Sequence, residues 1–283
     1  MSGRLLVVGT PIGNLGDLTP RAADALRTAD LLVAEDTRVL ARLLAHLAVR
    51  RPTLSFNEHN AASRLPGLLA RLATGETVAL TTDAGMPGVS DPGAALVAAA
   101  RAAGALVEVV PGASAVTAAV ALSGVDAAGF VFGGFLPARP ASVRAMALER
   151  LLIAAGSTSL PLVVFESPHR VRKLLATLAE RVPDAQVAVC RELTKRHEEV
   201  AVGTPAKVAE RLTEERGEFV LVISGLRDGP ATSSEGAVDG ARIAASALAA
   251  GIGERSIVEL LRSLGMGRRE AYLLVRAAQP SQR

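Results

Sequence analysis

The sequence predicts an α/β protein of two α/β domains with a small C-terminal helical appendage. In the first half, short leucine-rich or β-branched runs end in loops of Gly, Pro and Asp, and an alanine-rich helical pattern follows each loop. This alternation pauses at residues 124–129 and restarts with a glycine-bearing strand. Residues 225–240 are rich in Gly, Ser, Pro and Thr, as flexible linkers are. We therefore expect an N-terminal domain over residues 1–125, a C-terminal α/β domain over 126–226, a linker over 227–240 and a helical tail over 241–283.

The first domain is predicted to contain four strands and four helices. The strands are largely apolar, which indicates a sheet covered on both faces. Thr19 and Pro20 are an N-cap and a first helical residue for the first helix. The predicted strands are Arg4–Val8, 30–34, 77–82 and Leu106–Val110, and the predicted helices are 21–28, one that begins within 35–38, 92–103 and 113–123.

The second domain and the tail follow the same reasoning. The predicted strands are 130–135, 161–165, 186–190, 199–202 and Phe219–Ser224, and the predicted helices are 141–155, Pro168–Arg181 and 205–213. Three tail helices are predicted over 241–250, 256–264 and 268–278, with glycines at the turns between them.

The composition excludes several classes of protein. Hydrophobic residues make up 49% of the 283 residues and charged residues 21%, which is typical of globular chains and not of disordered or collagen-like ones. The longest apolar runs, such as residues 94–100, are far shorter than the roughly 18 residues of a membrane span. The N-terminus has no signal-peptide pattern. We therefore expect a cytoplasmic protein that does not cross a membrane.

Side-chain counts narrow the possible ligands. The single cysteine and the four scattered histidines show no metal-ligand spacing, so no metal is predicted. A net charge of +3 does not by itself indicate a partner. Six Phe, one Tyr and no Trp disfavour a platform of aromatic rings that stacks single-stranded RNA bases.

Three loops that follow strands of the first domain indicate a ligand site. Residues 9–16 (GTPIGNLG) have glycines that allow a ligand to approach closely, although a plain strand-to-helix turn explains them equally well. Residues 83–93 (DAGMPGVSDPG) hold two carboxylates, three glycines and two prolines, and Asp91 taken alone is explained as a helix cap. Residues 111–114 open a helix with free backbone N–H groups. Because the carboxyl ends of parallel strands share one sheet edge, these loops predict one pocket.

Titratable residues are concentrated at two strand ends of the second domain. Glu166, His169 and Arg170 follow one strand, and residues 191–199 follow another. A solvated charged face is the alternative explanation for the longer run, while the placement at strand ends favours a functional site.

Six segments, taken together, resemble a known family. They are VGTPIGN at 8–14, AEDTR at 34–38, DAGMPGVSDPG at 83–93, VPGAS at 110–114, FESPHR at 165–170 and RELTK at 191–195. In this order they resemble the ribosomal RNA small subunit methyltransferase I family of the tetrapyrrole methylase superfamily, the class III methyltransferases. The resemblance runs from about residue 4 to residue 225, and the tail is similar as well.

The resemblance implies a fold, a reaction and partners. It implies two α/β domains with S-adenosylmethionine in the cleft between them, 2′-O-methylation of a decoding-site cytidine in 16S rRNA of the small ribosomal subunit, and a homodimer. Relatives that act on corrin precursors often have a first loop closer to G-x-G-x-G, so Thr10 and Pro11 favour the RNA branch. The alternatives are a tetrapyrrole-precursor methyltransferase of the same fold and a non-catalytic ribosome-assembly factor.

Site residues follow from the same resemblance. The expected cofactor-binding residues are Pro11, Asp83, Ala84, Gly85, Pro87, Ser114, Phe165 and Glu166. Removal of the ribose hydroxyl proton calls for an acidic group, for which Glu166, Glu35 and Asp36 are candidates. Arg191 and Lys195 are the candidates for electrostatic support.

The tail has two interpretations. Arg255 and Arg262 are seven residues apart and share a helical face, as do Arg269 and Arg276, which predicts an RNA-docking appendage. A solvated face on a dimerisation or packing helix pair is the alternative, because acidic residues dilute the positive charge.

Overall fold

The computed structural model describes residues 3–88, 93–212, 214, 216–226, 240–249, 252–263 and 267–278. The chain divides into two compact units, Met1–Gly229 and Pro230–Arg283, and the first unit holds both β-sheets. Of the predicted linker, residues 227–239 lie outside the described residues. Within the described ranges, no helix is both long enough and apolar enough to cross a membrane.

The first sheet is parallel throughout. Its strands are β1 (Arg4–Val8), β2 (Leu31–Ala34), β3 (Thr53–Ser55), β4 (Thr77–Leu80) and β5 (Leu106–Val110), in the order β3–β2–β4–β1–β5. The helices of this half are α1 (Pro20–Thr28), α2 (Thr37–His46), α3 (Ala61–Ala73), α4 (Gly93–Ala102) and α5 (Ala115–Ser123). As predicted, Thr19 caps α1, since its side chain accepts a hydrogen bond from the Ala22 N–H.

The first sheet has a core on each face, as its largely apolar strands predicted, although the edge strand β5 leaves Leu106 and Val109 exposed. Successive residues of a strand point to opposite faces. In β1, Leu6 packs into one core cluster with Leu32, while Leu5 packs into another with Val33. A parallel sheet with a core on each side is the α/β arrangement that the sequence predicted.

The second sheet is mixed. Its strands are β6 (Val131–Phe135), β7 (Leu162–Glu166), β8 (Gln186–Arg191), β9 (Glu199–Gly203) and β10 (Phe219–Ser224), in the order β6–β7–β10–β8–β9. Only β6 and β7 pair in parallel, and the other pairs are antiparallel. The helices of this half are α6 (Ala141–Thr158), α7 (Pro168–Arg181) and α8 (Pro205–Arg211).

Helix α5 joins the two halves. It follows β5 of the first sheet, but Val116 and Ala119 pack into a cluster with Val163, Ala188 and Val220 of the second sheet. The start of α5 and the loops at the carboxyl ends of β1 and β4 therefore face the second sheet. This placement creates the cleft described below.

The second compact unit consists of three helices, α9 (Gly240–Ala249), α10 (Glu254–Ser263) and α11 (Arg268–Ala277). Ala244, Ile257, Leu261, Ala271 and Val275 form its core. The three predicted tail helices are confirmed to within two residues at each end.

Besides a short 3₁₀ turn at Leu15–Asp17, two elements of the first half were not predicted, β3 and α3. Strand β3 is only three residues long. Helix α3 contains Pro66, which normally disfavours a helix interior. Its start is stabilised by a turn in which Asn57 and Asn60 hydrogen-bond to each other and to Ser55.

Candidate functional site

Two adjoining cavities open where the loops of the first sheet meet the second sheet. The larger cavity has a volume of about 530 Å³ and the smaller about 350 Å³. Pockets of a few hundred cubic ångströms are the usual size for small-molecule sites. The larger cavity is lined by Ile12 and Leu193 together with residues 82–86, 114–116, 135, 165–168 and 217–220.

Loop-on-loop packing builds the wall of these cavities. A Cβ on Gly9 would lie 2.7 Å from backbone atoms of Gly112, so only glycine fits there. Thr10 and Gly85 exchange backbone hydrogen bonds of 2.9 and 3.2 Å, and Gly85 has a φ of +82°. The first, second and third loops are therefore in direct contact, and the glycines at 9 and 112 allow that contact.

Most of the predicted cofactor residues surround one cavity. Residues that line the larger cavity include Asp83, Ala84, Gly85, Ser114, Phe165 and Glu166. Pro11 lines the smaller cavity. Pro87 belongs to the same loop as Asp83 but lines neither cavity. The cofactor roles of all eight residues stay predictions, and the shared cavity supports six of them.

Asp83 and Asp36 are linked across the mouth of the site. The Asp36 N–H donates a 3.0 Å hydrogen bond to Oδ1 of Asp83. Asp36 caps α2 and pairs with Arg38, whose side-chain and backbone hydrogen bonds lower the pKa of Asp36 to about 2. Asp83 is accessible through the cavities, yet burial by the surrounding protein raises its pKa, and the charge of Asp36 acts in the same direction. The two carboxylates therefore have opposite tendencies, Asp36 to stay ionised and Asp83 to take up a proton.

Glu35 precedes Asp36 and is half-buried. Its backbone oxygen accepts a hydrogen bond of 3.3 Å from the Ser55 hydroxyl. Neither Glu35 nor Asp36 lines either cavity. The catalytic roles predicted for these two residues stay predictions.

Glu166 is completely buried and holds two arginines. Arg144 Nη2 donates to Oε2 over 2.6 Å, and Arg170 Nε donates to Oε1 over 2.7 Å. The Ser167 N–H also donates to Oε1 over 2.7 Å. Both carboxylate oxygens are thus engaged by guanidinium groups, so the geometry makes Glu166 an anchor for two cations at the wall of the larger cavity. Its predicted role as a proton acceptor stays a prediction.

Arg191 is also held in ion pairs. It is buried, with Nε 3.0 Å from Glu199 Oε2 and Nη1 3.1 Å from Glu214 Oε2. It lines neither cavity. The arrangement ties the end of β8 to β9 and to the segment before β10.

Lys195 lines the smaller cavity and bridges two carboxylates. Its Nζ lies 2.9 Å from both Glu192 Oε1 and Glu218 Oε2. Burial favours loss of its proton, but the two hydrogen bonds outweigh burial and raise the pKa of Lys195. Lys195 is therefore a firmly charged group at this site, while its predicted catalytic role remains untested.

The β8–β9 loop closes one end of the cleft. The Asn14 N–H donates a 3.0 Å hydrogen bond to the Thr194 hydroxyl. A Cβ on Gly13 would lie 2.5 Å from Lys195 Cγ, so this glycine is required by the contact between the loops.

Sequence reasoning missed several residues of the site. Phe135 and Glu218 line the larger cavity, and Arg144 pairs with Glu166 from α6. The strand that holds Phe135 differs from the strands of the first half by its two glycines, which is a usable signal. Nothing local to Arg144 marks it, because its partner is 22 residues away in another element.

The larger cavity fits S-adenosylmethionine, the cofactor that the resemblance implies. Ala115 and Val116 line it at the start of α5, where backbone N–H groups favour a carboxylate such as that of a methionine moiety. Phe135 and Phe165, with ring centroids 5.2 Å apart, form an aromatic wall that suits an adenine ring. Asp83 and Glu218 place two carboxyl groups at the wall that this cavity shares with the smaller one. Among the described residues, no group of three His, Cys, Asp or Glu side chains could hold a metal ion.

Comparisons with known proteins agree with this site. The family of Tetrapyrrole (Corrin/Porphyrin) Methylases matches residues 4–209. A ribosomal RNA small subunit methyltransferase I from Xylella fastidiosa is 45% identical over 231 residues, which cover 80% of this chain and 83% of that protein. One of the same name from Synechocystis is 40% identical over 281 residues, covering 96% of this chain and 97% of that protein.

A solved structure shares the fold. Uroporphyrin-III C-methyl transferase from Thermus thermophilus, complexed with S-adenyl homocysteine, matches with a TM-score of 0.54 and 21% identity, and covers 79% of this chain and 98% of that one. The cofactor prediction is confirmed: the methyl donor is S-adenosylmethionine. The chain is a methyltransferase that belongs to the tetrapyrrole methylases and, among them, to the ribosomal RNA small subunit methyltransferase I family.

Proposed function

We propose that this chain methylates the ribose 2′-hydroxyl of a decoding-site cytidine in 16S rRNA. The observation that carries the proposal is that five of the six segments by which the sequence resembles the rRNA methyltransferases contribute residues to the lining of two adjoining cavities. Two cavities are what a transfer between a cofactor and a second substrate requires. The relatives named ribosomal RNA small subunit methyltransferase I support RNA as that substrate.

The reaction sets three demands on the protein. When bound, S-adenosylmethionine supplies a methyl group on a sulfonium, which an oxygen displaces directly. The chain must therefore align the acceptor oxygen with the cofactor, exclude competing water and accept the hydroxyl proton. Alignment is served by loops held rigidly to each other, through the Thr10–Gly85 bridge and the Asn14–Thr194 hydrogen bond.

Cations near the cleft suit the rRNA backbone. Arg144 and Arg170 carry two positive charges, and Glu166 neutralises one of them. Each guanidinium is partly exposed, at 14% and 23% of the side chain, and has N–H groups beyond those that Glu166 accepts. Phosphate contacts position a protein on RNA, and Arg is well suited to make them.

The helical tail is a second contact surface in this proposal. Arg255 and Arg262 are exposed on α10, and Arg276 is exposed on α11. Tyr272 and Leu273 are also on α11, and 53% and 58% of their surface is exposed. Arg269 was predicted to share a helical face with Arg276, but its side chain lies outside the part of the chain that the structure describes. A tail that serves only for packing would leave RNA affinity unchanged when Arg255 and Arg262 are replaced by Gln.

A homodimer is part of the same proposal. Val143, Met146 and Ile153 are exposed on one side of α6, and Phe132 and Phe135 are exposed on the edge strand β6. Exposed apolar side chains of this number are common at interfaces between protein copies. Light scattering of the purified protein measures the oligomeric state. The cytoplasmic location also stays a prediction.

The function is tested by transfer of labelled methyl from S-adenosylmethionine to 30S subunits that lack native modification. The proposal predicts label in 16S rRNA, mapped by nuclease digestion to the decoding region. A tetrapyrrole precursor in place of 30S subunits is expected to remain unlabelled. Label in the tetrapyrrole alone would overturn the RNA assignment, and binding to 30S subunits without any transfer would indicate an assembly factor.

A further inference from the structure

The smaller cavity has the chemistry of a nucleoside site. Leu15, Val39, Leu40 and Leu43 give it an apolar side, and Asp83, Lys195 and Glu218 give it a polar side. A nucleobase has apolar faces and a polar edge, and the ribose carries hydroxyls. A cavity of about 350 Å³ is of the size that small-molecule ligands occupy.

Five residues line both cavities and form the wall between them: Ile12, Thr82, Asp83, Ala84 and Glu218. A group transferred from one cavity to the other must cross at this wall. Asp83 and Glu218 are its titratable members, so a proton released at the crossing point has two carboxylates within reach.

Asp83 is the better placed of the two. The Asp36 N–H fixes Oδ1 of Asp83, and among the residues that the structure describes nothing donates a hydrogen bond to Oδ2. Glu218 instead accepts a hydrogen bond from Lys195 over 2.9 Å, and 71% of its side chain is exposed. Asp83 thus combines a fixed orientation with a free oxygen.

We propose that the smaller cavity receives the acceptor nucleoside of the RNA and that Asp83 accepts its 2′-hydroxyl proton. This inference rests on the proposed function. In the step, a bond forms between the ribose O2′ and the methyl carbon, the carbon–sulfur bond breaks with its electron pair left on sulfur, and the hydroxyl proton passes to Oδ2 of Asp83. The protein then releases the proton to water.

The charges around Asp83 fit this role. The charged groups on the elements packed against it are Asp36, Arg38 and Arg42 of the α2 segment, Lys195 of the β8–β9 loop, and Glu218 before β10. Burial and the charge of Asp36 raise the pKa of Asp83, which makes its carboxylate a better proton acceptor than an ordinary aspartate. The rate is therefore expected to fall as the pH drops through the raised pKa of Asp83.

Arg42 extends the site toward the RNA backbone. It is exposed at the smaller cavity and, within the described part of the chain, makes no hydrogen bond or ion pair. A free guanidinium beside a nucleoside cavity is suited to the phosphate of the same nucleotide.

The first experiment compares Asp83→Asn and Asp83→Glu with Asp24→Asn, a control on the exposed face of α1. The proposal predicts that Asp83→Asn lowers kcat by about 100-fold and removes the acid limb of the pH profile. Asp83→Glu is expected to restore part of kcat with a displaced limb. Because Asp83 also lines the cofactor cavity, calorimetric titration with S-adenosylhomocysteine is expected to show a Kd that changes far less than kcat. An Asp83→Asn kcat close to wild type, or a loss of S-adenosylhomocysteine affinity equal to the loss of rate, would overturn the proposal.

The second experiment fills the smaller cavity. Val39→Trp places a large side chain there, and Val202→Trp on the exposed edge strand β9 is the matched control. We expect Val39→Trp to lower kcat/KM for 30S subunits at least about tenfold while S-adenosylhomocysteine still binds, which also shows that the variant folds. Equal kcat/KM in the two variants would contradict a nucleoside in this cavity.

The wild-type product separates this inference from the proposed function. If wild-type protein forms a ribose-methylated nucleotide and the Asp83 and Val39 variants match it, only the inference fails. If wild-type protein methylates a base or no RNA at all, the proposed function fails, and the inference fails with it.

Discussion

The backbone N–H of Asp36 donates a 3.0 Å hydrogen bond to Oδ1 of Asp83 and so joins the start of α2 to the loop after β4. The two residues are 47 positions apart, and the parallel order β2–β4 brings their strand ends side by side. Because the bond uses the backbone of Asp36, the Asp36 side chain still pairs with Arg38. Among the described residues, no donor reaches Oδ2 of Asp83. One capping residue thereby orients the carboxylate that stands between the two cavities.

Replacement of Glu166 should destabilise the fold. Glu166→Gln leaves the Arg144 and Arg170 guanidinium groups without their shared anion in a buried setting, so we expect the free energy of unfolding to fall by about 3 kcal/mol. Urea denaturation measures this change. Glu149→Gln is the control, because the contact of 4.0 Å between Glu149 and Arg181 is long and exposed. Equal stability of the two variants would show that the buried cluster contributes little.

Two glycine substitutions should act in opposite directions. Gly9→Ala puts a Cβ 2.7 Å from the Gly112 backbone, and we expect a loss of about 2 kcal/mol. Gly67→Ala lies in α3, where no atom other than those of its chain neighbours and its own helix backbone lies within 4 Å of the added Cβ. It should stabilise the protein by about 0.5–1 kcal/mol. Both changes are measured by chemical unfolding, and a destabilised Gly67→Ala protein would contradict the open space at that position.

The charge of Asp36 should stabilise the protein in a defined pH window. Its folded pKa of about 2 lies below the ordinary aspartate value of 3.8, so its contribution is present above pH 3.8 and is lost as the pH falls through 2. Asp36→Asn keeps an N-cap but removes the charge. We expect wild-type protein to have the higher Tm at pH 6 and the difference to shrink as the pH falls from 4 to 2. Arg38→Gln should show the same trend, and a pH-independent difference would be evidence against the ion pair.

Phe135 and Phe132 provide a matched pair for the cofactor cavity. Each ring centroid lies 5.2 Å from that of Phe165, but of the two only Phe135 lines the larger cavity. Phe135→Ala should raise the Kd for S-adenosylhomocysteine about tenfold, whereas Phe132→Ala should leave it unchanged. Isothermal titration calorimetry gives both values. An equal rise of the Kd in both variants would mean that the two rings affect cofactor binding by packing against Phe165, and not by direct contact with the cofactor.

Much of the fold was predictable because its signals are local. Thr19 and Pro20 mark the start of α1 within four residues of sequence, and the largely apolar strands of the first sheet predict a core on each face. Strand β3 and helix α3 were missed because three residues carry little periodicity and because Pro66 lies inside a helix. These elements are held by the neighbouring sheet and by the Asn57–Asn60 turn, which a periodic pattern does not encode.

The site was predictable where it is made of loops and not where it depends on long-range pairing. The loops that contain Asp83 and Ser114 follow strands of one parallel sheet, so their proximity follows from topology. The ion pair between Arg144 and Glu166 has no sequence signal, since α6 and β7 meet only in the folded chain. Among the described residues, Asp83 has a free carboxylate oxygen and Glu166 has none, and this difference likewise depends on which side chains reach each carboxylate in the folded chain.

The identity of the nucleoside that the wild-type protein methylates in 30S subunits tests the proposed ribose methylation most directly. After digestion of the 16S rRNA, we expect one labelled product in the decoding region, a cytidine whose neighbouring linkage resists alkaline hydrolysis because its 2′-oxygen is methylated. A label carried by a base, or a label that alkali releases with an unmodified ribose, would contradict ribose methylation and with it the role assigned to Asp83.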